Sequence, residues 1–277
     1  MKILVIDVGG NNCKMLLSGQ AEPRRFPSGS DFNPKAMVKG VLEMTRDWAF
    51  DVVAIGFPAP CTDAGPKLEP VNLGKGWVGF DYVGALGKPV KFMNDAAMQA
   101  LGSYEGGKML FLGLGTGLGN AMIVDGVVLP MELAHLPYKK GSFEDYVGDR
   151  GRDKYGKKKW QKAVEDVIER LRAALQPDYV VLGGGNVKKL EKLPENVRVG
   201  SNDNAFTGGF RLWELSPVPA SSVTAPAKAQ ARKPVPRKAE PKRPAPKAVA
   251  SSKAKPSRAS KKAVPAKPAG PNRKLTS

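Results

Sequence analysis

The sequence predicts an α/β protein with mixed sheets, built from two similar halves and followed by a basic tail. Three observations predict it. Short apolar runs alternate with stretches of helical period, the pattern of strands interleaved with helices. Twice, at residues 7–14 and 113–120, an apolar strand enters a glycine-rich turn and a second apolar strand leaves it. Beyond residue 216 the composition changes abruptly: residues 217–277 hold 16 Lys/Arg, one acid (Glu240), 12 of the 24 prolines and no aromatic residue.

The elements follow in order. Residues 2–8 (KILVIDV) form a near-continuous apolar run that suits a buried strand. Residues 14–18 read as its hairpin partner across the Gly-Gly turn. Residues 36–50 read as a helix, with Met37, Val38, Val41, Leu42, Thr45 and Trp48 on one face and Pro34 suited to the first turn. Strands are expected at 51–57 and 88–93, and a helix at 94–104. Strands at 108–114 and 120–124 flank the second glycine turn. Residues 159–175 give the clearest helix, with Trp160, Val164, Val167, Ile168, Leu171 and Leu175 on one stripe. A strand at 177–183 then runs into Gly183-Gly184-Gly185, followed by a short polar segment over 187–193. Two halves that each open with a hairpin would set their glycine turns opposite each other across a cleft.

Composition excludes several classes. The formal net charge of +18 is uneven, because the first 216 residues hold 28 bases and 25 acids and are nearly neutral. No apolar run approaches the roughly 20 residues of a transmembrane helix, and 3–6 is too short for a signal sequence before Asp7. Two cysteines, Cys13 and Cys61, make neither a disulfide framework nor a four-cysteine zinc site. A reducing, cytoplasmic setting with no membrane contact is the expectation.

The polar residues that interrupt this pattern suggest chemistry. Backbone N–H groups bind phosphate where side chains are absent and φ can be positive. Gly9, Gly10, Asn11, Asn12 and Lys14 fit, as do Gly115, Thr116 and Gly117; both also fit ordinary hairpin turns. Asp7, ending a buried strand beside such a turn, could hold Mg²⁺. The dinucleotide fingerprint fails, since the sixth position is Leu118 or Asn120. A Walker-like string at 102–108 runs from helix to strand, the reverse of a P-loop. Asn94-Asp95 stands where a strand ends and a helix begins. It suits an N-cap and equally a carboxylate poised at a helix N-terminus. Glu132 and His135, the single histidine, form a further polar cluster. Asn72, five residues before Trp77, offers an amide to a polyhydroxylated ligand.

Taken together, Asp7-Val8-Gly9-Gly10, Asn94-Asp95, 114–119 (LGTGLG) and Glu132-x-x-His135 resemble ROK-family sugar kinases of the actin/Hsp70/hexokinase-like superfamily. The polyphosphate glucokinase branch is the nearest in look, through Gly56-Phe57-Pro58, Asn72 with Trp77, and 124–126. The resemblance spans roughly residues 1–213. It implies a two-lobed actin-like (ribonuclease H-like) fold, with lobes over 1–94 and 95–216. It implies a glucokinase that uses polyphosphate or ATP with Mg²⁺ to phosphorylate the 6-hydroxyl of a hexose. Asp95 would be the general base; Asn72, Asn94, Asp95, Glu132 and His135 would hold the sugar. Asp7, Gly9, Gly10, Asn11, Asn12 and Lys14 would form one phosphate loop and Gly115, Thr116 and Gly117 the other. Gly183, Gly184 and Gly185 would lie at the adenosine site. A homodimer is also an expectation of the resemblance.

The sequence departs from the family in places. Asn11 replaces the usual Thr or Ser of the first loop, and Ala134 the Gly of Glu-x-Gly-His. The cysteine cluster that holds structural zinc in many members is missing, so no zinc is expected. The first strand begins at Lys2, which argues against the family's repressors, whose helix-turn-helix comes first. The tail reads as a disordered polyanion-binding arm, for polyphosphate or nucleic acid, and equally as a solvated extension. Two rival functions follow: a non-catalytic sugar or nucleotide sensor of the same fold, and a nucleic-acid-binding protein acting through its tail.

Overall fold

A computed structural model describes residues 1–201 and 203–214; the tail expected over 217–277 lies outside the described residues. The first half runs β1 (Ile3–Val8), β2 (Asn12–Leu17), β3 (Arg24–Pro27), α1 (Pro34–Met44) and β4 (Val52–Phe57). The two-residue strands β5 (Cys61–Thr62) and β6 (Gly65–Pro66), helix α2 (Tyr82–Leu86) and β7 (Val90–Asn94) complete it. Helix α3 (Asp95–Ser103) leads to the second half: β8 (Lys108–Leu114), β9 (Leu118–Val124), β10 (Val127–Pro130), β11 (Pro137–Tyr138) and β12 (Gly141–Ser142). Helices α4 (Phe143–Val147), α5 (Asp149–Tyr155) and α6 (Lys157–Leu175) follow, then β13 (Tyr179–Gly183), β14 (Val197–Val199) and α7 (Asn204–Glu214).

The two large sheets have one topology. The first is ordered β3-β2-β1-β4-β7 and the second β10-β9-β8-β13-β14. In each, an antiparallel three-stranded meander is extended by two parallel strands on the side of its first strand. The halves expected from the repeated hairpins are therefore the same motif used twice.

Strand alternation explains how the core is divided. Along β1, Leu4, Ile6 and Val8 pack with α1 and α2 residues on one face, while Ile3 and Val5 pack with α3 and α7 on the other. Along β8, Leu110, Leu112 and Leu114 face Trp160, Val164, Ile168 and Leu171 of α6, and Met109 and Phe111 turn back toward α3. Both faces of each sheet are buried, which is why these strands read as continuous apolar runs. The layers are α1/α2, first sheet, α3/α7, second sheet, α4–α6.

Two expectations are corrected in length. The helix read over 36–50 stops at Met44, because Thr45 takes a non-helical conformation and its hydroxyl donates to Val41 O at 2.8 Å. Trp48, beyond that end, still packs on the first core. The second strands of both hairpins start two residues earlier than read, at Asn12 and Leu118, leaving three-residue turns at 9–11 and 115–117.

Helices α3 and α7 meet where side chains are missing. A Cβ on Gly208 would lie 1.8 Å from Met98 O, and one on Gly102 would lie 1.8 Å from Asn204 O. The Arg211 guanidinium of α7 donates to Leu101 O and Tyr104 O at the C-terminal end of α3. Gly208→Ala is expected to force these helices apart and to cost about 1–3 kcal/mol, the usual range for overpacking. Chemical denaturation of the full chain checks this; stability equal to wild type would show that the helices are not in this close packing.

Candidate active site

The site is built around the N-terminus of α3. The Asn94 side chain caps the helix, accepting from Ala96 N at 3.1 Å and Ala97 N at 3.2 Å. Asp95, the next residue, accepts from Ala96 N at 2.8 Å and stays half-buried. The capping and acidic readings of this pair therefore fall on different residues: Asn94 caps the helix, and the Asp95 carboxylate lies where it feels the charge of Asp7. Burial, and then the charge of Asp7, push the Asp95 pKa up to about 7.

Asp7 comes from the end of β1, opposite Lys14 on β2. Its carboxylate lies 3.9 Å from Lys14 Nζ. Burial raises its pKa, and the lysine's charge works against that rise. Cys61 also senses Asp95, its thiol pushed up to about 12 mainly by burial. The structure thus brings together two carboxylates from different elements with one ammonium.

Both hairpin turns carry unused donors. Among the described residues, the backbone N–H groups of Gly10, Asn11, Thr116 and Gly117 donate to no protein atom. The turns are held from behind. Ser28 Oγ donates to Gly9 O at 2.6 Å and Ser28 N to Asn11 O at 3.1 Å. At the second turn, Asp149 N donates to Gly115 O at 3.0 Å, and the Asn186 amide reaches the same carbonyl. Neither turn uses the positive φ expected of it; among the glycines assigned to phosphate or adenosine, Gly184 alone has one, at +85°. There a Cβ would lie 2.3 Å from Leu114 O, so the turn over Gly183–Gly185 packs directly behind the second hairpin.

The second hairpin and the third glycine run both touch α3. A Cβ on Gly119, just past the second turn, would lie 2.9 Å from the Ala96 Cβ, one residue after Asp95. One helical turn on, the Gln99 Oε1 atom is buried and has no hydrogen-bond donor among the described residues; it faces Gly183.

The remaining expected residues are more open. His135 Nδ1 lies 3.4 Å from Glu144 Oε1, and His135 Nε2 lies 3.9 Å from Glu132 Oε1. Glu144 in turn borders Gly117. Both His135 and Glu132 are exposed. Asn72 is exposed on a loop pinned by Glu69, which accepts from Gly76 N, Trp77 N and Val78 N, and by buried Trp77. Among the described residues, no hydrogen bond joins Asn72 to Asn94, Asp95, Glu132 or His135. Sequence reasoning missed Ser28, Glu144 and Asp149; each is an ordinary surface-type residue whose contact with a turn is closed by the fold. Asn186, by contrast, directly follows the third glycine run.

Among the described residues no helix is long and apolar enough to cross a membrane. No family model matches the chain. The polyphosphate glucokinase of Mycobacterium tuberculosis is 28% identical over 209 residues, covering 68% of this chain and 78% of that protein. Among solved structures, the inorganic polyphosphate/ATP-glucomannokinase of Arthrobacter sp. strain KM superposes with a TM-score of 0.65 at 22% identity, over 75% of this chain and 96% of that one. A ROK-family glucokinase from Streptomyces griseus, solved with glucose and AMPPNP, gives 0.62 at 14% identity, over 76% and 99%. The chain is thus a sequence relative of polyphosphate glucokinases and has the fold of the solved ROK-family kinases.

Proposed function

We propose that the chain is a hexose kinase that moves a phosphoryl group from polyphosphate, ATP or both onto the 6-hydroxyl of glucose or a close relative. The observation that carries this reading is the placement of Asp95. A carboxylate with a pKa pushed up to about 7 heads the helix that packs against the second hairpin, and it feels the charge of Asp7 on the first; the turns of both hairpins hold unused backbone donors.

The chemistry follows from that placement. Asp95 accepts the proton of the sugar hydroxyl as the oxygen attacks the terminal phosphorus of the donor. The P–O bond to the leaving ADP or shortened polyphosphate breaks, and the proton leaves Asp95 to solvent. A base works best when its pKa lies near the operating pH. The free N–H groups of 10–11 and 116–117, with Lys14, would hold the transferring phosphate chain.

Asp7 suits Mg²⁺: its carboxylate is half-buried beside a second acid, with Lys14 at 3.9 Å as its ion-pair partner. Magnesium sites typically use one or two carboxylates and complete the shell with water and substrate phosphates. When bound there, the ion would neutralise charge on the phosphate oxygens.

Asn94, Asn72, Glu132 and His135 are assigned to the sugar. The exposure of Asn72, Glu132 and His135 fits an open state, in which closure of the lobes over 1–94 and 95–216 would bring them onto the hexose and exclude water. Glucose and the donor pair are taken from the named relatives. The tail is assigned to polyanion capture, which would raise the local concentration of a polyphosphate donor.

Three outcomes test this reading. Asp95→Asn should lower kcat by about 10²–10⁴-fold, the usual contribution of a general base, while calorimetry still detects glucose. An unchanged kcat would remove Asp95 from its role.

The second concerns pH. In wild type, kcat/KM for the hexose should fall about tenfold per unit below pH 7 as Asp95 gains its proton. Stability should move the other way. The folded chain keeps the Asp95 proton up to about pH 7, whereas the unfolded chain releases it near 4. Stability from this group is thus present below pH 4 and lost as pH rises toward 7. Asp95→Asn should therefore raise Tm relative to wild type at pH 8 but not at pH 4. An equal Tm difference at both would show that the charge is not buried at a cost.

Third, deletion of 217–277 should leave kcat intact while raising KM for long polyphosphate and flattening its salt dependence. Identical polyphosphate kinetics would make the tail a bystander.

A further inference from the structure

Asn186 is one of three polar residues buried among the described residues, at 3% exposure. It directly follows the third glycine run and uses every hydrogen-bonding valence of its side chain. Its Nδ2 donates to Gly115 O at 3.0 Å and to Asp149 Oδ1 at 3.0 Å. Its Oδ1 accepts from Lys189 Nζ at 2.8 Å and from the Arg152 guanidinium. Its backbone N donates to Leu114 O at 3.0 Å. One side chain therefore ties the start of α5 and the segment after β13 to the carbonyl of the first residue of the second hairpin turn, while the backbone of the same residue holds the end of β8.

That carbonyl matters because of the peptide geometry behind it. Gly115 O accepts from Asp149 N as well as from Asn186, and Asp149 N also contacts Thr116 O at 3.3 Å. Two donors, Asp149 N and Asn186 Nδ2, hold the Gly115 and Thr116 carbonyls toward the interior through three contacts. Each carbonyl belongs to the same rigid plane as the following N–H, which points the opposite way. Fixing Gly115 O and Thr116 O inward therefore aims Thr116 N–H and Gly117 N–H outward, and these are the unused donors of this turn. The bond network is also charge-assisted, since Arg152 and Lys189 meet Asn186 Oδ1 while Asp149 meets its Nδ2.

We infer that Asn186 is a positioning residue for the phosphoryl donor: it holds the second hairpin turn so that the Thr116 and Gly117 amides present a fixed anion-binding edge. The inference deepens the kinase reading and rests on it for the identity of the donor. The orientation of the turn itself does not depend on that reading.

The test uses full-length protein and two readouts. The first is hydrogen exchange in the peptide spanning 114–118, with and without tripolyphosphate; binding of the anion elsewhere, including on the basic tail, does not register in that peptide. In wild type, tripolyphosphate should slow exchange there. In Asn186→Ala the tripolyphosphate concentration needed should rise about five- to tenfold, the scale of losing one or two hydrogen bonds, while the peptide spanning 9–12 responds as in wild type. The second readout is steady-state kinetics, where KM for the donor should rise by the same factor and KM for glucose should stay within twofold. A folded Asn186→Ala with unchanged tripolyphosphate protection, or with donor and glucose KM rising together, overturns the inference. So does a wild-type turn that tripolyphosphate does not protect. Should Asn186→Ala fail to fold, Asp149→Ala removes one partner of the same amide from a side chain that is 40% exposed. A smaller shift in the same direction supports the inference, and no shift overturns it. If wild type turns over no sugar yet the exchange shift is seen, the positioning role stands and the kinase reading falls.

Discussion

Everything in the site depends on how closely α3 approaches both sheets. Its first turn touches β9 at Gly119, its second lies against β4 at Gly56 through Met98, and its last is clamped to α7 at Gly102. A helix normally packs about 8–10 Å from its neighbours because side chains separate the backbones. Here glycine and alanine remove that spacer at successive contacts, so the helix is held from two sides. Its N-terminus is then fixed relative to both hairpins, which begin on different sheets. Asn94 at one end and Arg211 at the other satisfy the backbone groups that a buried helix leaves unpaired.

This fixing has an electrostatic consequence. Asp95 and Asp7 arrive from different chain segments, and bringing them together buries two like charges with one partly exposed lysine nearby. Neither acid gains stability from that placement; both have their protonated forms favoured by burial. Such an arrangement is a cost to folding that the α3 packing must outweigh. Local sequence rules would place a charged, solvated cap at this position, so the raised pKa is the feature that separates a chemical role for Asp95 from a capping one. Asn94 takes the N–H groups of both Ala96 and Ala97, and Asp95 shares only the first.

Much of this was legible in the sequence, and the reasons differ by element. The strands β1, β4, β8 and β13 are buried on both faces and announce themselves as unbroken apolar runs. Helix α6 buries one stripe from Trp160 to Leu171 and exposes lysines elsewhere, so its period is plain. The repeated strand–glycine turn–strand pattern foretold two related halves, because a hairpin is a local structure. Helices α4 and α5 are too short for a period to show. Helix α7 was hidden by Gly208 and Gly209, residues that weaken a free helix but are required where it meets Met98 and Val5. For the site, motif residues could be read while their supports could not. Ser28, Asp149 and Arg152 act only through contacts closed by the fold. The exposed positions of Asn72, Glu132 and His135 likewise depend on how distant loops are held, which no local pattern encodes.

The doubled topology gives the two glycine turns equivalent places in their sheets, yet they are braced by different means. The first leans on a single serine hydroxyl and backbone from β3's end; the second is held by a network of an amide, a carboxylate and two cations. The difference follows from what lies behind each turn. Behind the first there is a short loop after an edge strand. Behind the second there are the ends of β13 and α5, which present unpaired backbone and charged groups that must be satisfied on burial. One topology used twice thus carries two unlike turns: one joined to the carboxylate pair through Asp7 and Lys14, the other joined to the third glycine run through Asn186. The third turn also meets α3 directly, where Gly183 faces Gln99, so the helix that carries Asp95 touches the third glycine run at Gln99 and the second hairpin at Ala96.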